Sequence, residues 1–241
     1  GFIGFHTAKF FLKKGYQVLG IDNLNSYYDI NLKKARNKIL LGFKNYTFKK
    51  ININSFKKVE KIFKKNQFDL IIHLAAQAGV RYSLKNPDTY LKANIVGTYN
   101  VIKLSNKFKI KHLIIGSSSS VYGANKKIPF QEIHKTDHQV SFYAATKKST
   151  ESIAHSYSSL WKLPITMLRF FTVYGPWGRP DMAYFKFTKK ILDGKKIDIY
   201  NKGKMYRDYT YIDDIVDGIF RLINKPPNNN KKTLFKNDSL S

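Results

Sequence analysis

The sequence GFIGFHTAKFFLKKGYQVLGIDNLNS, residues 1–26, joins a glycine turn to an amphipathic helix and a strand. Apolar residues recur at helical spacing up to Lys14, and Gly15 then ends the helix. Gln17–Ile21 has the composition of a strand, and Asp22 closes it. A turn, a helix and a strand in this order predict the start of an α/β domain.

The two glycines of the opening turn match the last two of a dinucleotide-binding fingerprint. In that turn the backbone approaches a diphosphate at the start of a helix. Asp22 stands 21 residues after Gly1, where a carboxylate accepts hydrogen bonds from the adenosine ribose. The alternative is that Asp22 is only a turn residue in DNLNS. Because the carboxylate would repel a 2′-phosphate, we expect NAD as the cofactor rather than NADP.

The rest of the chain alternates between strand and helix patterns. Continuous apolar runs, typical of strands buried on both faces of a parallel sheet, occur at 68–76, 112–119 and 165–171. Helical patterns occur at 32–41, 55–65, 88–107 and 142–161. This alternation predicts an α/β fold with a doubly wound parallel sheet, of the Rossmann type.

The composition changes after Gly175, where glycine, proline and aromatic residues become more frequent. We therefore expect an NAD-binding domain over residues 1–175 and part of a smaller substrate-binding lobe over 176–241, interleaved with the last crossovers of the sheet. The chain begins in the middle of the glycine turn, so the first strand of the domain is expected to be missing. We expect a fragment that lacks N- and C-terminal parts.

The composition excludes several classes of protein. With 43% apolar residues over 241 positions the chain can form a globular core. It has no cysteine, and its six histidines show no ligand spacing, so we expect no metal site and a reducing, cytoplasmic location. No apolar run approaches the roughly 20 residues of a membrane span, so a membrane is not an expected partner.

The net charge of +27 raises the possibility of nucleic-acid binding. The charge comes from 37 Lys and 6 Arg spread along the whole length, without the clustered Arg and stacking aromatics typical of base recognition. Nucleic acid is therefore not an expected partner. A basic nucleic-acid binder would show an affinity that falls steeply with salt.

A candidate catalytic pair lies in SFYAATKKSTE, residues 141–151. Tyr143 and Lys147 are four residues apart and share one face of a helix, where the ammonium would stabilise a phenolate and lower the pKa of the tyrosine. The alternative is two residues on a solvated face. Ser118 ends a predicted strand 25 residues before Tyr143, at the edge of the sheet where ligands collect.

This Ser, Tyr and Lys arrangement resembles the extended short-chain dehydrogenases/reductases, which act on nucleotide sugars. A closer resemblance is to the UDP-glucuronate 4-epimerases, within the NAD-dependent epimerase/dehydratase family. It is carried by IIHLAAQAGVRYSLKNPDTYLKANIVGTYNV (71–101), SSSSVYG (117–123), YAATKKSTE (143–151) and LRFFTVYGPWGRPDM (168–182), and by GKMYRDYTYIDDIVDGI (203–219). The resemblance implies an isomerase that converts UDP-glucuronate to UDP-galacturonate through a 4-keto sugar, supplies surface polysaccharide precursors and forms a homodimer.

The resemblance also implies the cofactor site and the catalytic roles. Tyr143 would be the base, Lys147 would tune it and bind the ribose, and Ser118 would hydrogen-bond the reacting oxygen. Asn52 stands where relatives usually carry an Asp that reaches the adenine. The implied NAD contacts are Gly1, Phe2, Ile3, Gly4, Asp22, Asn23, Asn52, Ile53, Leu74, Ala75, Ala76, Tyr143 and Lys147.

The residues expected to contact the substrate also indicate which reaction the protein catalyses. Ser119 and Ser120 stand where related dehydratases carry an acidic pair, and hydroxyls favour epimerisation without elimination. By resemblance Arg207 binds the diphosphate, whereas Arg179 binds the hexuronate carboxylate or the nearby diphosphate. For Arg81 a structural ion pair is an equal possibility. The candidate substrate contacts are Arg81, Ser118, Ser119, Ser120, Thr172, Arg179 and Arg207.

Two alternatives for the function stay open. The same chemistry could act on another UDP-hexose, of the UDP-glucose or UDP-N-acetylglucosamine type, because a few side chains decide the substrate. The chain could also be a truncated remnant that binds NAD without turnover.

Overall fold

The structure is a computed structural model that describes residues 1–199, 201–204 and 206–227. The helices are α1 (Phe2–Lys13), α2 (Ile30–Leu41), α3 (Phe56–Lys65), α4 (Val80–Lys85), α5 (Pro87–Tyr90), α6 (Gly97–Lys107), α7 (Phe142–Trp161), α8 (Ala183–Leu192) and α9 (Ile212–Leu222). A π-helical segment spans Leu91–Val96, and 3₁₀ turns span Ser119–Tyr122 and Asn201–Gly203. The strands are β1 (Val18–Asp22), β2 (Tyr46–Lys50), β3 (Leu70–His73), β4 (His112–Gly116), β5 (Ile165–Leu168), β6 (Thr172–Tyr174) and β7 (Tyr209–Tyr211).

All strand pairs are parallel. β1 pairs with β2, β4 lies between β3 and β5, and β6 pairs with β7. The registers align Val18 with Tyr46, Leu70 with His112, Leu113 with Ile165, and Thr172 with Tyr209. Parallel strands joined through helices confirm the predicted α/β class.

The described residues form two compact units. One consists of Gly1–Lys50 and Phe171–Ile219, and the other of Ile51–Phe170 and the chain from Phe220 onward. Each unit is made from two separate stretches of sequence. The sequence-based boundary at residue 175 stays a prediction, and residues 228–241 of the predicted lobe lie outside the described residues.

Each unit has its own apolar core. In the first unit Phe5 and Leu12 from α1 pack with Leu40 from α2. In the second unit β4 is buried along its whole length, as its continuous apolar sequence predicts. Its core contains Val101, Ile102, Leu113, Ile115, Ala154, Leu163 and Ile165.

The elements differ from the sequence-based expectation in their ends and number. The runs at 68–76, 112–119 and 165–171 shorten to Leu70–His73, His112–Gly116 and Ile165–Leu168. The residues after each of these strands leave the ladder. Strands β2, β6 and β7 were missed because they are short and rich in Lys or Tyr, with no continuous apolar run.

The predicted helix over 88–107 is helical but not uniform. Pro87 starts a short α-helix, and the π-helical segment separates it from α6. Asn94 lies in the π-helical segment and is completely buried. Insertions of this kind occur often at functional sites. Within the described residues, none of the helices is both long and apolar enough for a membrane crossing.

Candidate active site

The Tyr143 and Lys147 pair lies at the start of α7. The helix begins at Ser141, whose hydroxyl oxygen accepts a hydrogen bond from the Ala144 N–H at 3.1 Å. Tyr143 is half-buried, whereas Lys147 is 6% exposed. The cap therefore fixes where the helix begins and places both side chains on its first two turns.

Lys147 is a buried ammonium with a defined partner. Its Nζ donates a hydrogen bond to the Gly116 carbonyl oxygen, at the end of β4, at 2.8 Å. Burial lowers the pKa of Lys147 to about 8, and the nearby carboxylate of Glu151 partly opposes this. Lys147 is therefore mostly protonated at pH 7 and loses its charge at a lower pH than an exposed lysine does.

Tyr143 is held through its backbone and its ring. Its N–H donates to the Ser83 hydroxyl oxygen at 3.2 Å, and its carbonyl accepts from the Thr146 hydroxyl at 2.8 Å. The ring meets that of Tyr90 edge to face, with centroids 6.1 Å apart. Tyr90 is fully buried, so the ring of Tyr143 packs against a residue of the protein interior.

The row of serines after β4 forms a 3₁₀ turn that packs against α7. Ser118 is its N-cap, and its hydroxyl oxygen accepts from the Ser120 N–H at 3.2 Å. The Ser119 N–H donates to the Phe170 carbonyl oxygen, after β5, at 2.9 Å. Ser118 and the pair on α7 therefore lie in neighbouring elements of the second unit, and their catalytic roles stay a prediction.

Asn94 supports this arrangement from the π-helical segment. Its Oδ1 accepts from the Gln77 N–H at 2.8 Å, and its Nδ2 donates to the Gln77 carbonyl oxygen and to the Thr146 hydroxyl, each at 3.0 Å. The side chain thereby ties the chain that follows β3 to α7.

The glycine turn and Asp22 come together in the first unit. The Gly1 nitrogen lies 3.0 Å from Asp22 Oδ2, and the Leu24 N–H donates to Asp22 Oδ1 at 2.8 Å. Burial acts to raise the pKa of Asp22, whereas the hydrogen bond from the Leu24 N–H and the positive charge of Lys33 act to lower it. The carboxylate is therefore charged at neutral pH.

These residues fit NAD. α1 starts at Gly1 without a side-chain cap or an acidic residue in its first turn, so its first N–H groups suit a diphosphate. A Cβ at Gly1 would meet nothing within 4 Å, which leaves the approach to the turn open. The ionised Asp22 supplies a ribose acceptor. Phe2, Ile3 and Gly4 lie in the first turn of α1, and Asn23 follows Asp22.

The remaining predicted cofactor residues lie in the second unit. Asn52 is exposed, and its Oδ1 accepts from the Asn54 N–H at 3.1 Å. Ile53 packs against α6 at Gly97, where a Cβ would lie 2.6 Å from the isoleucine Cδ1. Leu74, Ala75 and Ala76 follow β3 and are half-buried.

Arg179 forms an internal ion pair in the first unit. Its Nε donates to Asp181 Oδ1 at 3.0 Å, and the Tyr27 hydroxyl donates to Asp181 Oδ2 at 3.1 Å. Burial and the Asp181 charge raise the pKa of Tyr27 to about 12. The carboxylate-binding role of Arg179 stays a prediction, because Asp181 holds its guanidinium here.

The other substrate candidates fall in different places. Thr172 is the first residue of β6, and Arg207 is exposed before β7, with its Nη1 donating to the Tyr206 carbonyl oxygen at 2.9 Å. Arg81 is exposed on α4. Thr172, Arg179 and Arg207 belong to the first unit, whereas Arg81 and Ser118 belong to the second.

Sequence reasoning missed Arg36 on α2, which is 3% exposed. Its guanidinium donates to the carbonyl oxygens of Trp177 and Gly178, at 3.1 and 3.0 Å, and to the Tyr28 hydroxyl at 2.8 Å. It thereby holds the loop that carries Arg179. The available signal was the rarity of arginine in this lysine-rich chain.

A second missed group surrounds Glu151, one turn beyond Lys147 on α7. Its Oε1 accepts from the Ser117 hydroxyl at 2.6 Å and from Arg169 Nε at 3.0 Å, and its Oε2 accepts from Arg169 Nη2 at 2.8 Å. The available signal was the repeat of four residues through Tyr143, Lys147 and Glu151.

Known proteins share this sequence over most of its length. The profile of the NAD dependent epimerase/dehydratase family matches residues 1–236. Protein CapI of Staphylococcus aureus is 53% identical over 96% of this chain and 69% of its own length. A probable UDP-glucuronate 4-epimerase of Rhizobium meliloti is 51% identical over 94% of this chain and 67% of its own length.

The fold is shared as well. The crystal structure of UDP-glucuronic acid 4-epimerase from Bacillus cereus, in complex with UDP-glucuronic acid and NAD, superposes with a TM-score of 0.88 at 34% identity. The match covers 95% of this chain and 72% of that one. These similarities confirm the resemblance, the Rossmann-type fold and the NAD cofactor expected from the sequence. The chain belongs to the NAD dependent epimerase/dehydratase family, as an isomerase of the epimerase type.

Proposed function

We propose that this protein converts UDP-glucuronate to UDP-galacturonate by epimerisation at C4. The observation that supports this most directly is the buried Lys147 ammonium on the same face of α7 as Tyr143, beside the Ser118 turn. The similarity to proteins named UDP-glucuronate 4-epimerases favours this substrate over other UDP-hexoses.

The catalytic side chains have separate tasks. Tyr143, as phenolate, takes the proton of the C4 hydroxyl and later returns it, while Lys147 stabilises the phenolate. Ser118 hydrogen-bonds the same oxygen. When bound at the Gly1 turn and Asp22, NAD supplies the chemistry of removing and returning hydride at C4. The sugar passes through a 4-keto form, which must rotate within the site before hydride returns to its opposite face.

The substrate contacts follow from charge and hydrogen-bonding capacity. Ser119 and Ser120 supply hydroxyls for the hexuronate carboxylate and cannot drive elimination as an acid and a base would. Thr172 adds a third hydroxyl, and Arg207 binds the diphosphate. Arg179 reaches the carboxylate or diphosphate if it exchanges Asp181 for the ligand.

The test is incubation of the protein with UDP-glucuronate and NAD, with separation of the products against a UDP-galacturonate standard. We expect a UDP-galacturonate peak that stops at an equilibrium mixture, with no net NADH. Conversion of UDP-glucose or UDP-N-acetylglucosamine alone would retain the mechanism and remove the carboxylate assignment. Failure on all three UDP-sugars would contradict the proposal.

We further propose a homodimer that acts in the cytoplasm and supplies precursors for surface polysaccharide. Large apolar side chains are exposed on the π-helical segment, α6 and α7, and two neighbouring helices of this kind suit self-association. They are Leu91, Val96, Tyr99, Leu160 and Trp161, between 38% and 67% exposed. Sedimentation should give a dimer that Trp161→Glu weakens, whereas a monomeric parent protein would contradict this.

A further inference from the structure

The carboxylate of Glu151 joins three elements of the second unit. It lies on α7, its hydroxyl donor Ser117 directly follows β4, and its guanidinium donor Arg169 directly follows β5. The side chain of Glu151 is 11% exposed and that of Arg169 is 21% exposed. Paired groups with so little solvent contact hold their geometry more firmly than surface ion pairs do.

The Glu151 network has a proposed catalytic group on each side: the turn that begins at Ser118 and the side chain of Lys147. Ser117 directly precedes Ser118, and Phe170, which follows Arg169, accepts the Ser119 N–H. On α7, Lys147 lies one turn before Glu151 and contacts the Gly116 carbonyl. The carboxylate therefore connects the serine turn to the helix that presents the base.

A second layer braces the arginine. Arg169 Nη1 donates to the Glu132 carbonyl oxygen at 3.2 Å, and its guanidinium lies over the Tyr122 ring, 5.0 Å from the centroid. Tyr122 stacks on Phe130 with centroids 4.5 Å apart. Tyr122 ends the 3₁₀ turn that Ser118 begins, so both ends of the turn are tied to the same ion pair.

The charge of Glu151 acts on Lys147 as well. The described groups that face the lysine are Tyr143 and Glu151 on its own helix, His73 on β3 and the Gly116 carbonyl on β4. Burial lowers the pKa of His73 to about 3, so this histidine is neutral near pH 7. Glu151 is therefore the anion that offsets the cost of burying the ammonium.

We propose that Glu151 is a positioning residue for the reaction, which sets the Ser118 turn against the Tyr143 and Lys147 face of α7 and keeps Lys147 protonated. This inference rests on the proposed epimerase function. The two roles are separable, because Ser117 shares only the first of them.

The decisive experiment follows the Lys147 amine itself. The Nζ resonance is assigned in ¹⁵N-labelled full chain with NAD by its absence in Lys147→Met, and its titration midpoint is compared in variants. Glu151→Gln removes the anion and leaves the Arg169 charge uncompensated, so the midpoint should fall by about one pH unit. Glu151→Asp keeps the negative charge, so the Lys147 midpoint in this variant should lie close to that of the parent.

A second experiment measures the steady-state kinetics of the same variants with UDP-glucuronate as the substrate. Glu151→Gln should lower kcat by about tenfold or more with little change in KM, and the alkaline limb of its pH profile should move to lower pH. Ser117→Ala should lower kcat without moving the Lys147 midpoint. Asp69→Asn, a carboxylate-to-amide change at a side chain that is 79% exposed, is the matched control and should alter neither quantity.

The outcomes separate the inference from the proposed function. A Glu151→Gln midpoint and kcat both equal to those of the parent would overturn the inference, as would a Ser117→Ala variant with unchanged kcat. If no UDP-sugar is converted, the proposed function fails, while the Lys147 midpoint, which needs no substrate, still decides the electrostatic role. Should Glu151→Gln not fold, Ser117→Ala still tests the positioning role, and Arg169→Gln, which removes the guanidinium partner of the Glu151 carboxylate, should raise the Lys147 midpoint. An unchanged midpoint in Arg169→Gln would overturn the electrostatic role.

Discussion

At the scale of single residues, the Tyr143 phenol is the group whose chemistry is most easily isolated. Tyr143→Phe keeps the ring that packs on Tyr90 and removes only the proton acceptor. We expect turnover of UDP-glucuronate to fall by at least about a hundredfold, while NAD binding stays near that of the parent. Steady-state kinetics and NAD titration measure the two. Tyr16→Phe is the control, and activity above a few per cent in Tyr143→Phe would remove the assigned role.

His73 predicts a pH dependence of stability. Burial lowers its pKa from the usual 6.5 to about 3, and its Nε2 meets the Thr98 hydroxyl at 2.9 Å. Between these pH values the unfolded chain binds a proton that the folded chain does not. The contribution of His73 to the free energy of unfolding is therefore fully present above about pH 6.5 and is lost as the pH falls toward 3.

Urea unfolding at several pH values tests this contribution. The free energy of unfolding should fall less steeply with acidification in His73→Gln than in the parent. His155→Gln changes an exposed histidine and should keep the parental slope. Equal slopes for the parent and His73→Gln would show that His73 titrates in the folded protein as it does in the unfolded chain.

At the scale of elements, the serine turn depends on the glycine that closes it. Gly123 has φ 57° and ψ −126°, a conformation that side chains rarely adopt. A Cβ there would collide with the His138 carbonyl oxygen. Gly123→Ala should therefore lower the free energy of unfolding by about 2 kcal/mol or more. Chemical denaturation measures the loss.

Gly218, inside α9, is the matched control. A Cβ at this position meets nothing within 4 Å, so Gly218→Ala should be neutral or stabilise by up to about 1 kcal/mol. If Gly123→Ala behaved like Gly218→Ala, the turn would not need its present backbone conformation.

The loop at Trp177 and Gly178 depends on α2. Arg36→Lys keeps the charge but cannot reproduce the fork that binds two carbonyls and Tyr28. We expect a loss of about 1–3 kcal/mol in unfolding free energy, with a raised KM for UDP-glucuronate, since the loop carries Arg179. Lys38→Arg, on the exposed side of the same helix, should change neither quantity. Parental values in Arg36→Lys would contradict the anchoring role.

At the scale of the whole molecule, the net charge of +27 should attract an anionic substrate. The kcat/KM for UDP-glucuronate should therefore fall several-fold as ionic strength rises from about 0.01 to 0.15 M, because the Debye length falls from about 30 to 8 Å. Initial-rate measurements at each salt concentration test this, with sucrose as an uncharged control. A kcat/KM independent of salt would show that the charge does not steer the substrate.

Much of the fold followed from local patterns. The helix and strand of residues 1–26 appear as α1 and β1, and the apolar run at β4 is buried as expected. Local periodicity suffices where an element is long and its apolar face is regular. The three missed strands are three to five residues long, and a ladder partner rather than a local pattern makes each of them a strand.

The sequence by itself determined the α/β class, the placement of Tyr143 and Lys147 on one helical face, and the glycine turn with Asp22. Each depends on spacing along the chain, which helix and strand geometry converts directly into position. The tertiary structure alone decided the partners: Gly116 for Lys147, Ser117 and Arg169 for Glu151, and Trp177 for Arg36. These contacts join residues far apart in the chain. A buried charge needs a hydrogen-bonding partner, and the packing of the elements decides which residue is close enough to be that partner.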